Sequence, residues 1–152
     1  MQISTQVAEA KDLDEALTLI VRHFETDTAT VHFLAENGLL HLAAATPGLP
    51  AAVLSTIKVI PVGQGRAGLA VERRRPVDAC NIQTDQSGDV RPGARATGLA
   101  GAVVVPIFRN DDVVGALGVA ERGERLFSEA ETQGLIEVGR MLVKLLPTAT
   151  VP

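Results

Sequence analysis

Three glycines in the stretch GQGRAG, residues 63–68, have the spacing that holds a dinucleotide pyrophosphate. Such a site needs the glycines to follow a strand of a βαβ unit and to open a full-length helix, with an acidic residue about 20 residues further on. Here the helix predicted after Gly68 is short because Pro76 ends it, and the acidic residue at the matching distance, Asp85, falls in an irregular polar loop. We therefore interpret the glycines as positions that permit positive φ angles and close packing between a strand and a helix.

The single cysteine and the three histidines are the other residues that could support catalysis or bind a metal. One cysteine excludes an internal disulfide and a multi-cysteine metal site, and we interpret Cys80, on a predicted strand, as a small packed hydrophobe. His32 and His41 lie on two strands predicted to pair, but two histidines without a third ligand make a weak metal site. We interpret them as solvent-facing or hydrogen-bonded strand residues. His23 follows Arg22 at a predicted helix end, where positive charge is favourable.

Capping boxes open a helix near each end of the chain. Asp12 with Glu15, and Ser128 with Glu131, have the spacing in which the first side chain caps the helix and the second bonds back to the cap. The first helix shows one apolar face, whereas the last shows two neighbouring apolar stripes. The inner stripe contains Leu135, Val138, Leu142 and Leu145, and the outer stripe contains Ile136, Gly139, Val143 and Leu146. Packing against the surface of one domain needs only one stripe.

Strands, short helices and turns fill the chain between these two helices. Hairpins are predicted over residues 28–45 and 102–121, because each region holds two apolar runs joined by an Asn-Gly or Asn-Asp pair. Between the hairpins the pattern predicts two short helices on either side of a short strand, an extended segment and a long polar loop over residues 83–98. We predict a single α/β domain over residues 1–152, with its core at about 13–146 and a loose tail at 147–152.

Composition disfavours several classes of function. A net charge of −4 leaves no basic surface for nucleic acid. No apolar stretch is long enough to span a membrane and the N-terminus lacks a signal-peptide pattern, so we predict a cytoplasmic protein without membrane contact. Trp and Tyr are absent, so a pocket would lack the aromatic surface on which large planar cofactors stack. The sequence identifies no cofactor.

The order of these elements resembles the GAF domain family. Four motifs carry the resemblance: the glycine-rich turn and short helix that run into a Pro-Val strand, the VPI of the second hairpin, its VGAL, and the F-S-x-x-E that opens the last helix. Each motif is weak alone, but together they cover nearly the whole chain in the family's order. The resemblance implies an antiparallel sheet with helices on both faces. The terminal helices would pack together on one side, and a ligand cavity would lie on the other.

Domains of this family are mostly sensors that bind small molecules and pass the change to an effector, such as a kinase. The resemblance therefore implies a regulatory domain in signal transduction without catalytic activity of its own. The signature of the cyclic-nucleotide branch is absent, and the polar loop lacks the Cys-His pair that attaches bilins. One branch reduces free methionine sulfoxide with an attacking and a resolving thiol. Its cysteine regions correspond here to residues 65–70 and 90–98, which contain none. A diverged reductase and a ligand-free dimerisation module stay as alternatives.

Polar residues around the expected cavity are the candidates for its wall. Arg91 and Arg95 lie in the loop beside a helix N-terminus, an arrangement that suits a small anion or a carboxylate ligand. The alternative is that both arginines are solvated loop residues. The full set of candidates comprises Gln64, Arg66, Asn81, Gln83, Asp85, Arg91, Arg95 and Thr97.

The second apolar stripe of the last helix predicts a homodimer through the terminal helices. Ile3, Val7 and Ala10 extend an apolar line upstream of the first capping box. A monomer that exposed both surfaces would carry a larger apolar patch than soluble proteins usually tolerate. Pairing these helices about a two-fold axis would bury it, and we expect the small Gly139 to allow close helix approach.

Overall fold

Five α-helices and six strands make up the part of the chain that the structure, a computed structural model, describes, residues 2–84 and 98–147. In chain order they are α1 Ile3–Ala8, α2 Leu13–Phe24, β1 Thr28–Leu34, β2 Leu39–Ala45, α3 Ala51–Ile57, β3 Val59–Pro61, α4 Gly65–Arg73, β4 Val77–Ala79, β5 Gly101–Arg109, β6 Asp112–Glu121 and α5 Glu129–Leu142, which continues into a 3₁₀ turn, Val143–Leu145. The tail predicted to be loose lies, from residue 148 on, outside the described residues. No described helix has the length and apolar character needed to cross a membrane.

The six strands form one sheet in the order β3-β2-β1-β6-β5-β4, and every neighbouring pair is antiparallel. Both predicted hairpins are confirmed. The first turns with Gly38 at a φ of 79°, and the second turns with Asn110 at a φ of 56°, in the left-handed region that Gly and Asn tolerate. Strands β1 and β6 pair at the centre, from Thr28 opposite Ala120 to Phe33 opposite Gly115.

The capping signals begin the two terminal helices where the sequence predicts. Asp12 accepts a hydrogen bond of 2.8 Å from the backbone N–H of Glu15. Ser128 and Glu131 form the complete reciprocal box, with bonds of 3.1 Å and 2.9 Å between side chain and backbone in the two directions. These bonds satisfy N–H groups that the first turn of a helix leaves without partners, and they fix where α2 and α5 start on the sheet.

Alternation along the strands divides the interior into two layers. Val103, Val105 and Ile107 of β5, with Leu117 and Val119 of β6, face α1, α2 and α5 and form the larger core. The intervening residues of the same strands face α3, α4 and the loop that precedes β5. The terminal helices therefore pack together on one face and the short helices cover the other, which confirms the predicted fold.

The glycine-rich turn confirms the packing interpretation of its glycines. Gly63 and Gly65 have φ angles of 91° and 62°, which disfavour other residues. Gly68 lies where a Cβ atom would come within 2.4 Å of the carbonyl oxygen of Pro61. Helix α4 is only 9 residues long and follows a short edge strand, and every strand pair of the described sheet is antiparallel, so the parallel βαβ unit of a dinucleotide site is not formed there.

Two details of the terminal helices differ from expectation. Gly139 is buried and faces the sheet of its own chain, since a Cβ atom there would lie 3.6 Å from Cγ1 of Ile107. The expectation that Gly139 allows approach of a second helix is therefore wrong. Val7 and Ala10 are also buried in the core of their own domain, because α1 folds back onto α2 and α5.

Candidate functional site

A cavity of about 90 Å³ lies on the sheet face opposite the terminal helices. Its floor consists of the central strands β1 and β6, and Val53 and Ile57 of α3 form one wall. Leu49, before α3, and Leu99, before β5, complete its aliphatic lining. The two central strands and α3 thus position the site, and nearly all of its surface comes from aliphatic groups.

Small residues on β6 create the space above the floor. Gly118 lies between Thr30 of β1 and Val104 of β5, and a Cβ atom at Gly118 would come within 3.2 Å and 3.3 Å of their side chains. Ala120 follows on the same face of the strand. Larger side chains at these two positions would fill the cavity, so its existence depends on the small residues of one central strand.

Two hydroxyl groups supply the side-chain polarity of the cavity. Thr28 and Thr30 are two residues apart on β1, so both side chains point from the same face of the sheet. Neither hydroxyl makes a hydrogen bond to another residue within the described ranges. Both are therefore available to a ligand as donors and as acceptors.

His32 attaches the cavity wall to the floor. His32 is 3% exposed, and its Nε2 lies 2.8 Å from the carbonyl oxygen of Ile57, the last residue of α3. Burial lowers the pKa of His32 below its ordinary value, although the bond to the Ile57 carbonyl acts in the opposite direction. The imidazole is therefore neutral at pH 7, and Nε2 carries the proton that it donates, because a carbonyl oxygen can only accept.

The other histidines have separate structural environments. His41 is paired with Phe33 and stacks on its ring at 5.5 Å between centroids, whereas His32 is paired with Leu42. The interpretation of His32 as a hydrogen-bonded strand residue is thus confirmed, and the two histidines are not directly opposite each other. His23 lies in the last turn of α2, as predicted. Within residues 2–84 and 98–147, no three His, Cys, Asp or Glu side chains are grouped to hold a metal.

The four predicted wall residues in the described ranges are not part of the cavity lining. Gln64 is exposed at the start of α4, and Arg66 is half-buried in the first turn. Asn81 donates to Glu124 at 2.9 Å and accepts from the backbone N–H of Gln83. The Gln83 side chain donates to the Leu99 carbonyl at 2.8 Å, and so holds one lining residue in place.

The remaining candidates, Asp85, Arg91, Arg95 and Thr97, lie outside the described residues. Their assignment to a ligand stays a prediction, and so does the assignment of the four described residues.

Cys80 is exposed, so its interpretation as a packed hydrophobe is wrong. It follows the short edge strand β4, in which Val77 and Ala79 point inward while Asp78 points outward. The alternation continues to Cys80 and turns its side chain toward solvent. Its backbone carbonyl oxygen accepts a bond of 3.1 Å from the N–H of Arg125.

We expect Cys80→Ser to leave the free energy of unfolding within about 0.5 kcal/mol of the wild-type value, because an exposed side chain with no side-chain partner is lost. Chemical denaturation measures this difference. A thiol reagent should label native Cys80 at the rate of a free cysteine. Labelling many times faster would contradict this expectation and would favour a reactive thiol and the reductase alternative.

The fold and the matched residues together define the family. Residues 10–141, which include every strand, match the GAF domain family. The chain therefore belongs to the GAF domain family, which confirms the resemblance in the sequence. No curated protein matches the chain at a significant level.

Several solved structures share the fold at low sequence identity. The GAF domain of an Acinetobacter phosphoenolpyruvate-protein phosphotransferase is similar with a TM-score of 0.73 and 21% identity, over 94% of this chain and 87% of that chain. A free methionine-R-sulfoxide reductase from Neisseria meningitidis, in complex with its substrate, gives 0.73 and 21%, over 94% and 83%. A domain assigned to a two-component sensor histidine kinase protein of Sinorhizobium meliloti gives 0.67 and 16%, over 88% and 90%. At these identities the similarity shows the fold alone.

Proposed function

We propose that this protein is a cytoplasmic sensory domain that binds a small molecule, regulates signal transduction and catalyses no reaction itself. One observation carries the proposal: the cavity floor and the core beneath the terminal helices share the same strands. Gly118 lies under the cavity, while its neighbours Leu117 and Val119 belong to the core that supports α2 and α5. A ligand that shifts β6 would therefore act directly on the packing of those helices.

The tip of the second hairpin provides another connection between the two faces. Arg74, at the end of α4, donates to the carbonyl oxygen of Asp111 at 2.5 Å, and Arg140 of α5 donates to that of Asn110 at 3.1 Å. Both guanidinium groups lie near the ring of Phe108, at 5.5 Å and 5.3 Å from its centroid. These contacts connect α4, on the cavity face of the sheet, to α5, on the other face. They support the proposal that a structural change at the cavity reaches the terminal helices.

The structural relatives support a signalling role with an effector protein such as a kinase. They include a domain assigned to a sensor histidine kinase protein and GAF domains of phosphotransferases. They also include free methionine-R-sulfoxide reductases, which makes reduction the competing proposal. Two features favour the sensor: the chain has one cysteine, and Cys80 is not part of the cavity lining. A mechanism with an attacking and a resolving thiol would need a second thiol from outside the chain.

A thermal-shift screen of small molecules tests the sensor against both alternatives. A ligand at a hundredfold excess over its dissociation constant stabilises the protein by about 2.7 kcal/mol. Ala120→Val fills part of the cavity, so in the absence of ligand we expect it to raise the free energy of unfolding by about 0.5–1.5 kcal/mol. Because the filled cavity no longer admits the ligand, the ligand-induced shift should be abolished. The double change Arg91→Ala and Arg95→Ala should abolish the shift only if the ligand is an anion held by the loop.

Three results would contradict the proposed function. Native mass spectrometry without a copurified ligand, together with no shift for any compound, would favour the dimerisation module. Turnover of methionine sulfoxide with an added thiol would favour the reductase. A shift that persists in Ala120→Val would place the ligand outside the cavity.

We also propose that the domain forms a homodimer through its terminal helices. Ile136 and Val143 of the outer stripe are only half-buried, as are Leu146 and Met141 nearby. Since the larger core already covers Val7 and Ala10, the surface available to a partner is smaller than the sequence predicts. It consists of the outer side of α5, the turn that follows it, and the half-buried Ile3 of α1.

A further inference from the structure

The chemistry of the cavity lining defines a class of ligand. We propose that the cavity binds an uncharged, branched aliphatic molecule of about four to six non-hydrogen atoms that carries a single hydrogen-bonding group. This inference rests on the proposed function and narrows it. It also differs from the anionic ligand that Arg91 and Arg95 predict, so the two can be separated by experiment.

The volume of the cavity limits the size of the molecule. The space is about 90 Å³, which is smaller than an apolar cavity of about 150 Å³ that holds a molecule the size of benzene. The cavity therefore suits a short branched chain and not a nucleotide or a tetrapyrrole. Val53, Ile57 and Leu99 give this chain three aliphatic surfaces to contact.

The lining favours an uncharged ligand. Among the described residues no charged side chain lines the cavity, and the lining side chains are aliphatic except for the two hydroxyls. A carboxylate or an ammonium group would lose its hydration there without gaining an opposite charge from the described lining residues, which is strongly unfavourable. His32 lies beside the cavity, but its ring is neutral at pH 7 and Nε2 already donates to Ile57.

The two hydroxyls favour one polar group on that ligand. Thr28 and Thr30 are separated by about 6–7 Å along β1, so a single amide or hydroxyl group between them can reach both. A pure hydrocarbon would exclude water from these hydroxyls without replacing its hydrogen bonds, which is unfavourable. The polar group of the ligand therefore lies against β1, and its aliphatic branch extends toward α3.

Nuclear magnetic resonance titration with three matched probes tests the proposal. Isobutyramide, isobutyrate and isobutylamine have similar shapes and differ in charge. We expect isobutyramide to shift the backbone resonances of Thr30 and Gly118 and the methyl resonances of Ile57, and to bind at least tenfold more tightly than either charged probe. Thr30→Val keeps the shape and removes a hydroxyl, so it should weaken isobutyramide binding about fivefold to tenfold. Thr18→Val, the same change on the exposed surface of α2, should have no effect.

Each outcome separates this inference from the proposed function. Tighter binding of isobutyrate at these resonances would overturn the uncharged ligand and leave the sensor intact. Unchanged isobutyramide affinity in Thr30→Val would overturn the assignment of the hydroxyls. If none of the probes shifts these resonances while another compound stabilises the protein, only the ligand class is wrong. If no compound binds at all, both proposals fail.

Discussion

Replacement of Leu142 by glutamate is expected to unfold the domain. Leu142 is fully buried near the end of α5, in the core between the terminal helices and the sheet. A carboxylate there would lose its hydration without a partner, and the aliphatic contacts of leucine would also be lost. We expect the free energy of unfolding to fall by more than about 4 kcal/mol, which is a large part of the total stability of a domain this size. Circular dichroism during chemical denaturation measures it.

Val143→Glu, one residue further on, should leave the domain folded and weaken the dimer. Val143 begins the 3₁₀ turn and is half-buried, so a glutamate there can reach solvent, and the domain should stay folded. If α5 pairs with its copy, the new charge should weaken the dimer at least tenfold. Gln133→Glu adds the same charge at an exposed position of α5 and should leave the dimer unchanged.

Sedimentation at micromolar concentration decides whether the dimer exists. Only monomer for the wild-type protein would refute the homodimer, and so would a dimer that Val143→Glu leaves as stable as before. If Leu142→Glu remained folded, the assignment of the inner and outer stripes would itself be wrong.

Features fixed by neighbouring residues could be predicted from the sequence. The capping bonds of Asp12 and Ser128 join groups only three residues apart, so the order of residue types determines them. The turn at Gly38 and the turn at Asn110 depend on a single residue that tolerates a positive φ. Together with the alternation of residue types along the strands, these local signals predict the order of the elements and a sheet covered by helices on both faces.

Features that depend on which face a residue occupies were predicted less well. Its spacing puts Gly139 in the outer stripe, and only the packed structure shows that it faces Ile107 of the sheet. A free cysteine is usually a small packed hydrophobe, which is why the sequence favours a packed Cys80, but the residue lies just beyond β4 and is exposed.

The residues of the cavity itself were not predicted. Thr28, Thr30, Gly118 and Ala120 all occupy one face of two paired strands, where alternate positions carry small or hydroxyl side chains. That alternation is visible in the sequence. The sequence does not show that these positions line one cavity, because only the register between β1 and β6 brings them together. The sequence prediction selects polar loop residues, because a polar side chain is recognisable in a sequence, whereas the space left by small side chains is not.

Gly68→Ala should destabilise the protein by about 2–3 kcal/mol and so decide the role of the glycine-rich turn. A Cβ atom at this position would lie 2.4 Å from the carbonyl oxygen of Pro61 and 3.0 Å from the amide nitrogen of Gly63. Both are backbone atoms, so α4 would have to move away from β3. That movement would strain the bond of 2.9 Å that the N–H of Gly63 donates to the carbonyl of Gly68.

Gly123→Ala is the matched control for this measurement. A Cβ atom there would meet only a carboxylate oxygen of Glu121, at 3.8 Å, so the free energy of unfolding should change by less than about 1 kcal/mol. Chemical denaturation of both variants gives the comparison. If the glycines served a pyrophosphate, Gly68→Ala would abolish nucleotide binding and leave stability nearly unchanged. A variant that unfolds more easily while the wild-type protein binds no dinucleotide would establish that Gly68 is there because α4 packs directly against the backbone of β3.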